Sequence, residues 1–297
     1  MTTNTDLDEI DRIHDDEPER AAAGLRELDP AELPAGRLPL LAFLYIHVLG
    51  EKLGQWNEAA DRLEQLRSGR ADAPLAVTAH AATAAHLAGH AANPALASLA
   101  ATGGAASAQT VVQLNALALR PPVACTALAA ELERLAVASQ ALDAAGPLNQ
   151  RLAIAFNNTT SQLLDATAAP VDAQQAAALL AGSAAALRFW RTAGTWVNLE
   201  RALYLRALVH NRIGDPAAAR DDCVQALELI GDNGGEEIDR TFLQLQLAGA
   251  LLRLGDDEGR RHLAEARASA AGWHDTALKS WFAGEDDRLF GAVEKQQ

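Results

Sequence analysis

The chain has 297 residues and a formal net charge of −14 at pH 7, with 39 acidic residues against 25 basic ones, and it is 49% hydrophobic but only 4% aromatic. That balance excludes a nucleic-acid binder, which needs clustered Lys and Arg to meet phosphates, and no 18-residue run is apolar enough to span a membrane. Alanine accounts for 67 residues; it is the strongest helix former and lets helix axes approach closely, so the expectation is an all-α protein. Lys52, Lys279 and Lys295 are the only lysines, an Arg-for-Lys bias that fits a GC-rich bacterial genome. No basic-then-apolar leader opens the chain. Cys125 and Cys223 fall in separate helical segments without metal spacing, so a reduced, cytoplasmic setting is expected.

Residues 1–35 read as an acidic N-terminal capping segment, with eleven acidic residues against Arg12, Arg20 and Arg26, or −8. Leu7, Ile10 and Ile13 have the spacing of a short helix, and Asp16 and Pro18 are placed to start a second. Its alternative role is an arm that docks a basic partner. Residues 36–272 read as helical repeats, about six helix pairs. Helix starts are predicted near Arg37, Trp56, Pro74, Pro94, Ser107, Pro122, Asn149, Asp172, Thr195, Pro216, Glu237 and Asp257. Asn93-Pro94 and Asp215-Pro216 place a capping side chain before a proline that has no N–H to lose. Gly54, Gly89, Gly214 and Gly255 mark helix ends. Residues 273–297 form a C-terminal cap, predicted as two helices, Trp273–Phe282 and Asp286–Val293.

Between Asp72 and Arg120 there is no charged residue. A solvated repeat helix normally shows a charged outer face, so residues 73–119 are expected to be covered on more than one side, by the chain itself or by a second copy in a homo-oligomer. His86 and His90 are four apart and would share a face if both were helical, but a third ligand is missing nearby. No metal site is read there.

The stretch Arg201–Ile230 carries the most specific pattern: Leu203, Ala207, Gly214, Asp215, Ala219 and Ala226 are the large apolar residue, the small mid-helix residue, the turn and the two alanines of a repeated helix pair. Gly54, Gln55, Trp56, Ala59, Leu63 and Leu66 repeat it, and Ala248, Gly255, Asp256, Gly259, Leu263 and Ala266 do so with a one-residue deletion. This resembles the tetratricopeptide repeat family over roughly 100 residues. The resemblance implies a right-handed α-solenoid of antiparallel helix pairs, whose first helices line a concave face that binds peptides or helices.

On that face the resemblance points to Asn157, Asn158, Asn198, Arg201 and Arg206 as a polar groove, Arg201 standing where family clamps grip a carboxylate. Asparagines that cap or cross-link helices are the alternative. Trp190, Trp196 and Tyr204 gather nearby, as binding anchors or as wedges between helix pairs. No GxSxG, phosphate-binding loop, HExxH or CxxC occurs, so no catalytic residue, metal or cofactor is proposed. The leading expectation is a scaffold or adaptor with a protein or peptide partner. A ligand-responsive regulatory sensor is the alternative, and an enzyme of unrecognised type the second alternative.

Overall fold

The structure, a computed structural model, describes residues 3–119, 125–143 and 145–294. Among these residues there are fifteen α-helices and no strand, and no helix is long and apolar enough to cross a membrane. The chain divides into two compact units, residues 1–128 with 137–159, and residues 129–136 with 160–297. The first unit contains α1 (Thr3–Ile13), α2 (Pro18–Glu27), α3 (Leu38–Leu44), a π-helix (Tyr45–Lys52), α4 (Trp56–Gly69), α5 (Leu75–Leu87), α6 (Pro94–Gly103) and α7 (Ala105–Leu119). Helices α8 (Cys125–Ser139) and α9 (Asn149–Ala166) contribute to both units. The second unit holds α10 (Ala173–Ala193), α11 (Trp196–Ile213), α12 (Pro216–Asn233), α13 (Glu237–Arg253), α14 (Glu258–Ala271) and α15 (Thr276–Glu294). Within each unit, helices pack on their neighbours in chain order.

The predicted starts and stops follow from local chemistry. The Asn93 and Asp215 side chains accept the N–H groups of Leu96 and Ala218, so each caps a helix whose first residue is proline. Gly54, Gly89, Gly214 and Gly255 all adopt positive φ, the conformation that ends a helix at least cost. The start predicted near Pro122 lies outside the described residues. The two C-terminal helices are one, α15: Ala283 and Gly284 supply no stop, and Phe282 and Glu285, adjacent turns of one face, are both buried. His90 does not continue the face of His86, because α5 ends at Leu87 and Gly89 turns left-handed before it.

The uncharged segment is largely accounted for by burial within the first unit. Helix α5 packs against α3, α4, α6, α7 and the π-helix, and buries Ala76, Val77, Ala79, Ala81, Ala82, Thr83, Ala84 and Ala85. Charge is missing from α5 because nearly every side of it faces protein. Burial pushes His80 down to about 4, with the Arg151 charge adding to the effect, so its imidazole is neutral near pH 7. Helices α6 and α7 expose small, uncharged residues, among them Ala101, Thr102, Ala105 and Ala106.

The pattern positions shared by the three motif copies are where helices meet most closely. Ala59, Leu63, Ala207, Ala219, Ala226, Ala248 and Ala266 are all fully buried. In the last copy a Cβ at Gly259 would stand 2.7 Å from Leu252 Cγ and 2.9 Å from the Ala248 carbonyl oxygen, so the α13–α14 contact admits no side chain there. Gly50, inside the π-helix, is similarly confined: a Cβ there would overlap the Trp56 indole. Gly50→Ala is therefore expected to destabilise the protein by about 1–3 kcal/mol despite alanine's better helix propensity. Chemical denaturation followed by far-UV circular dichroism checks this, and an unchanged midpoint would show that Trp56 can swing away.

Candidate functional site

The second unit gathers its polar residues at the start of α11 and the start of α13. Helix α11 opens with Asn198 Oδ1 accepting from the Thr195 N–H at 3.0 Å and from the Thr195 hydroxyl at 3.1 Å, which ties the first turn to its cap. A Cβ at Gly194 would stand 2.8 Å from the Trp190 ring and 2.9 Å from Asn198 Cβ, so the α10–α11 turn is pressed between those two side chains. Helix α13 is entered through Gly234, Gly235 and Glu236, all at positive φ. Glu236, at φ 53°, is the one non-glycine residue with positive φ among the described residues, a conformation that costs about 1–2 kcal/mol in an L-residue. Strain of this kind needs local compensation.

The compensation is Arg201. Its Nη2 donates to Glu236 Oε2 at 2.9 Å and its Nε to Asp239 Oδ2 at 2.8 Å. Glu200 Oε1 lies 3.5 Å from the same Nε. One guanidinium thus faces three carboxyl groups, whose oxygens come within 4.8 Å of one another, a spacing that also suits a divalent cation. Arg201 and Asp239 are partly exposed, whereas Glu200 is fully buried and neither of its carboxyl oxygens has a hydrogen-bond partner. Three ionised carboxylates would leave a surplus of negative charge. Burial first, and the adjacent Asp239 second, push Glu200 up to about 8, so it is a neutral acid near pH 7.

The residues selected from the sequence fall in several places. Asn157 and Asn158 belong to the first unit, Asn157 half-buried and Asn158 exposed; the other six belong to the second. Asn198 is engaged in the cap. Trp190 is buried and Trp196 half-buried, on either side of the α10–α11 turn. Tyr204, one turn beyond Glu200, packs edge-on against Phe242 with its hydroxyl buried, and burial raises that hydroxyl well above the usual tyrosine range. Arg206 faces α12, with Nη2 3.4 Å from Asp222 Oδ1. Asp222 is buried and pushed up to about 6 by desolvation, and His210 Nε2 stands 3.6 Å from its Oδ2.

A separate cavity of about 240 Å³ opens between the end of α10, α11 and α12. Leu199, Leu203 and Leu229 supply its apolar surface, and Gln225, Glu228, Asp232 and Arg191 its polar edge. None of the eight selected residues lines it. Glu200, Glu236 and Asp239 also went unselected, although Glu200 carried a signal. It lies four residues after Trp196, three before Leu203 and seven before Ala207, a carboxylate on the helix face that must be buried.

No family model, curated protein or solved structure matches this chain. What the geometry defines is an all-helical protein, its helices packed in chain order, with an acid-rich polar cluster and a small helix-lined cavity in its second unit.

Glu200 carries a pH dependence. Its carboxyl has an ordinary value of 4.5 when exposed and about 8 in the fold. The folded state therefore holds a proton that the unfolded chain has released, and this contribution is complete below the lower value and lost as pH rises through the upper one. Glu200→Gln keeps the shape without the proton. Its stability relative to wild type should rise steadily between about pH 5 and pH 9. Parallel melting-temperature curves for the two proteins over that range would contradict a neutral Glu200.

Proposed function

We propose that this protein is a tetratricopeptide-like interaction scaffold, a right-handed solenoid of antiparallel helix pairs that holds a segment of a partner protein. The observation that carries the reading is the α11–α12 cavity, where leucines from both helices of the best motif copy lie beside carboxylates. An occupant must bury an apolar side chain against Leu199, Leu203 and Leu229 and present a cation to Glu228 and Asp232. The charge of −14 favours the same partner, an apolar and basic segment, and speeds its encounter. A peptide carboxylate is a poor match for Arg201, which is already held by Glu236 and Asp239. The polar cluster therefore supports the lattice of helices more than a carboxylate clamp.

A ligand-responsive sensor is the second reading. It is favoured by the pairing of a Gly234–Glu236 turn at positive φ with a buried Glu200, an arrangement that a cation or small ligand would reorganise. Such a ligand would raise the melting temperature of the wild type and not that of Glu200→Gln.

The scaffold reading is tested with a library of helical peptides panned on the immobilised protein. Selected sequences are expected to combine a leucine-sized anchor with Lys or Arg, and their binding should weaken as salt is raised. Leu199→Glu and Leu229→Glu should each weaken binding at least tenfold, with circular dichroism unchanged. Selection of acidic or C-terminal peptides, or binding to both variants as tight as to wild type, would refute it.

A further inference from the structure

In the first unit, far in sequence from the cavity, two imidazoles and a carboxylate converge. His14 and Asp15 lie in the turn after α1, and His47 projects from the π-helix. Their ligand atoms all lie within 4.8 Å of one another. His14 Nε2 stands 3.5 Å from Asp15 Oδ2, and His47 Nε2 stands 3.3 Å from Asp15 Oδ1. Two ligands held about 2.1 Å from a tetrahedral ion stand about 3.4 Å apart, so these separations match the edge of such a site.

The hydrogen bonds behind the rings fix which nitrogen is presented. His14 Nδ1 contacts the Asp11 carbonyl oxygen; a carbonyl can only accept, so that nitrogen carries a proton. His47 Nδ1 lies 2.6 Å from Glu51 Oε2 and is a donor for the same reason. In a neutral ring the other nitrogen, Nε2, is then a bare lone pair, and both Nε2 atoms point at the Asp15 carboxylate. Lone pairs facing an anion repel unless a proton or a metal stands between them. Histidine ligands of zinc are held in this way, the far nitrogen donating to a carboxylate or a backbone carbonyl.

Two further features shape the position. A π-helix is rare, usually a single widened turn, and frequent at functional sites; here it spans eight residues and carries His47, Glu51 and Lys52. Phe43 stacks on the His47 ring at 5.2 Å and 12°, and the two imidazoles meet edge to face at 5.2 Å. His14 and His47 are mostly buried while Asp15 is open to solvent, which leaves an entry path. Lys52 Nζ sits 2.8 Å from Asp15 Oδ1, with Asp16 also near it, and supplies positive charge there.

We propose that His14, Asp15 and His47 form a binding site for a zinc-class divalent metal, with Asp11 and Glu51 orienting the two imidazoles and Lys52 competing with the metal for Asp15. Two imidazoles and one carboxylate suit Zn²⁺ better than Mg²⁺ or Ca²⁺, which prefer all-oxygen sites. The metal would fasten the turn after α1 to the π-helix. This site is independent of the scaffold reading.

The test uses the full chain, stripped with chelator and titrated with Zn²⁺ by calorimetry in two buffers of different ionisation enthalpy. One equivalent is expected to bind with micromolar or tighter affinity, to release protons near neutral pH and to raise the melting temperature. His14→Gln and His47→Gln should each weaken binding at least tenfold. Lys52→Met should tighten it about tenfold by freeing Asp15. Far-UV circular dichroism of the metal-free variants shows whether they fold, and if His47→Gln does not, the Lys52→Met affinity and the proton count decide. Absence of binding, unchanged affinity in both histidine variants, or unchanged affinity in Lys52→Met would overturn the assignment.

Discussion

The near approach of consecutive helices through positions that admit only alanine or glycine is the constraint on which this structure depends. The Ala248 carbonyl comes so near to Gly259 that a Cβ has no room. Ala207, Ala219 and Ala226 are fully buried where α11 and α12 pack. An alanine contact removes little apolar area, so each one stabilises weakly, and the fold gains its stability from many of them and from dispersion at short range. The aromatic residues are concentrated instead of spread. Phe242 sits amid Tyr204, Trp273, Trp281 and Phe282, where α11, α13 and α15 meet the end of α14. That cluster is the nearest thing to a conventional core in the second unit.

Arginine side chains add donors to backbone carbonyl groups near helix ends and in the connecting segments. Arg70 donates to the Pro30 and Leu33 carbonyls, Arg212 to those of Leu164 and Thr167, and Arg253 to that of Asn211. Asn211 in turn donates to the Gln246 carbonyl and side chain. A guanidinium offers five donors in a fixed plane and reaches two carbonyls at once, which an ammonium on a flexible stem does less well. The Arg-rich, Lys-poor composition, whatever its origin in codon use, thus has a structural use as the mortar between helices.

The sequence made the helices legible because their punctuation is chemical. Asn93, Asp172, Asp215 and the glycines at 54, 89, 214 and 255 each satisfy a local rule about caps or left-handed turns that no distant residue needs to help. What escaped depends on tertiary partners. The π-helix has no composition of its own, and the packing of Trp56 over Gly50 within it is a tertiary contact. The two short helices expected at the C-terminus are one because Phe282 and Glu285, on either side of Gly284, are buried on one continuous face. At the site, Arg201 and Tyr204 were readable as polar and aromatic residues on a first helix. The partners of Arg201, Glu236 and Asp239, lie more than thirty residues on, and nothing local connects them. Glu200 was the readable exception, a charge placed on a buried stripe. The histidines 14 and 47 stood in segments read separately, one as an acidic prelude and the other as a first helix.

The π-helix has a consequence for how this region tolerates change. Each widened turn holds roughly one residue more than an α-turn, and an α-helix advances about 100° per residue. Residues Tyr45–Lys52 therefore act as a phase shifter between α3 and the Gly54 turn that leads into α4. Loss of a single residue from this stretch would let it relax toward α-helical winding and would rotate Leu38, Leu41 and Leu44 away from the direction in which they are now buried. The number of residues here is constrained as tightly as their identity: this part of the chain is metered as well as spelled.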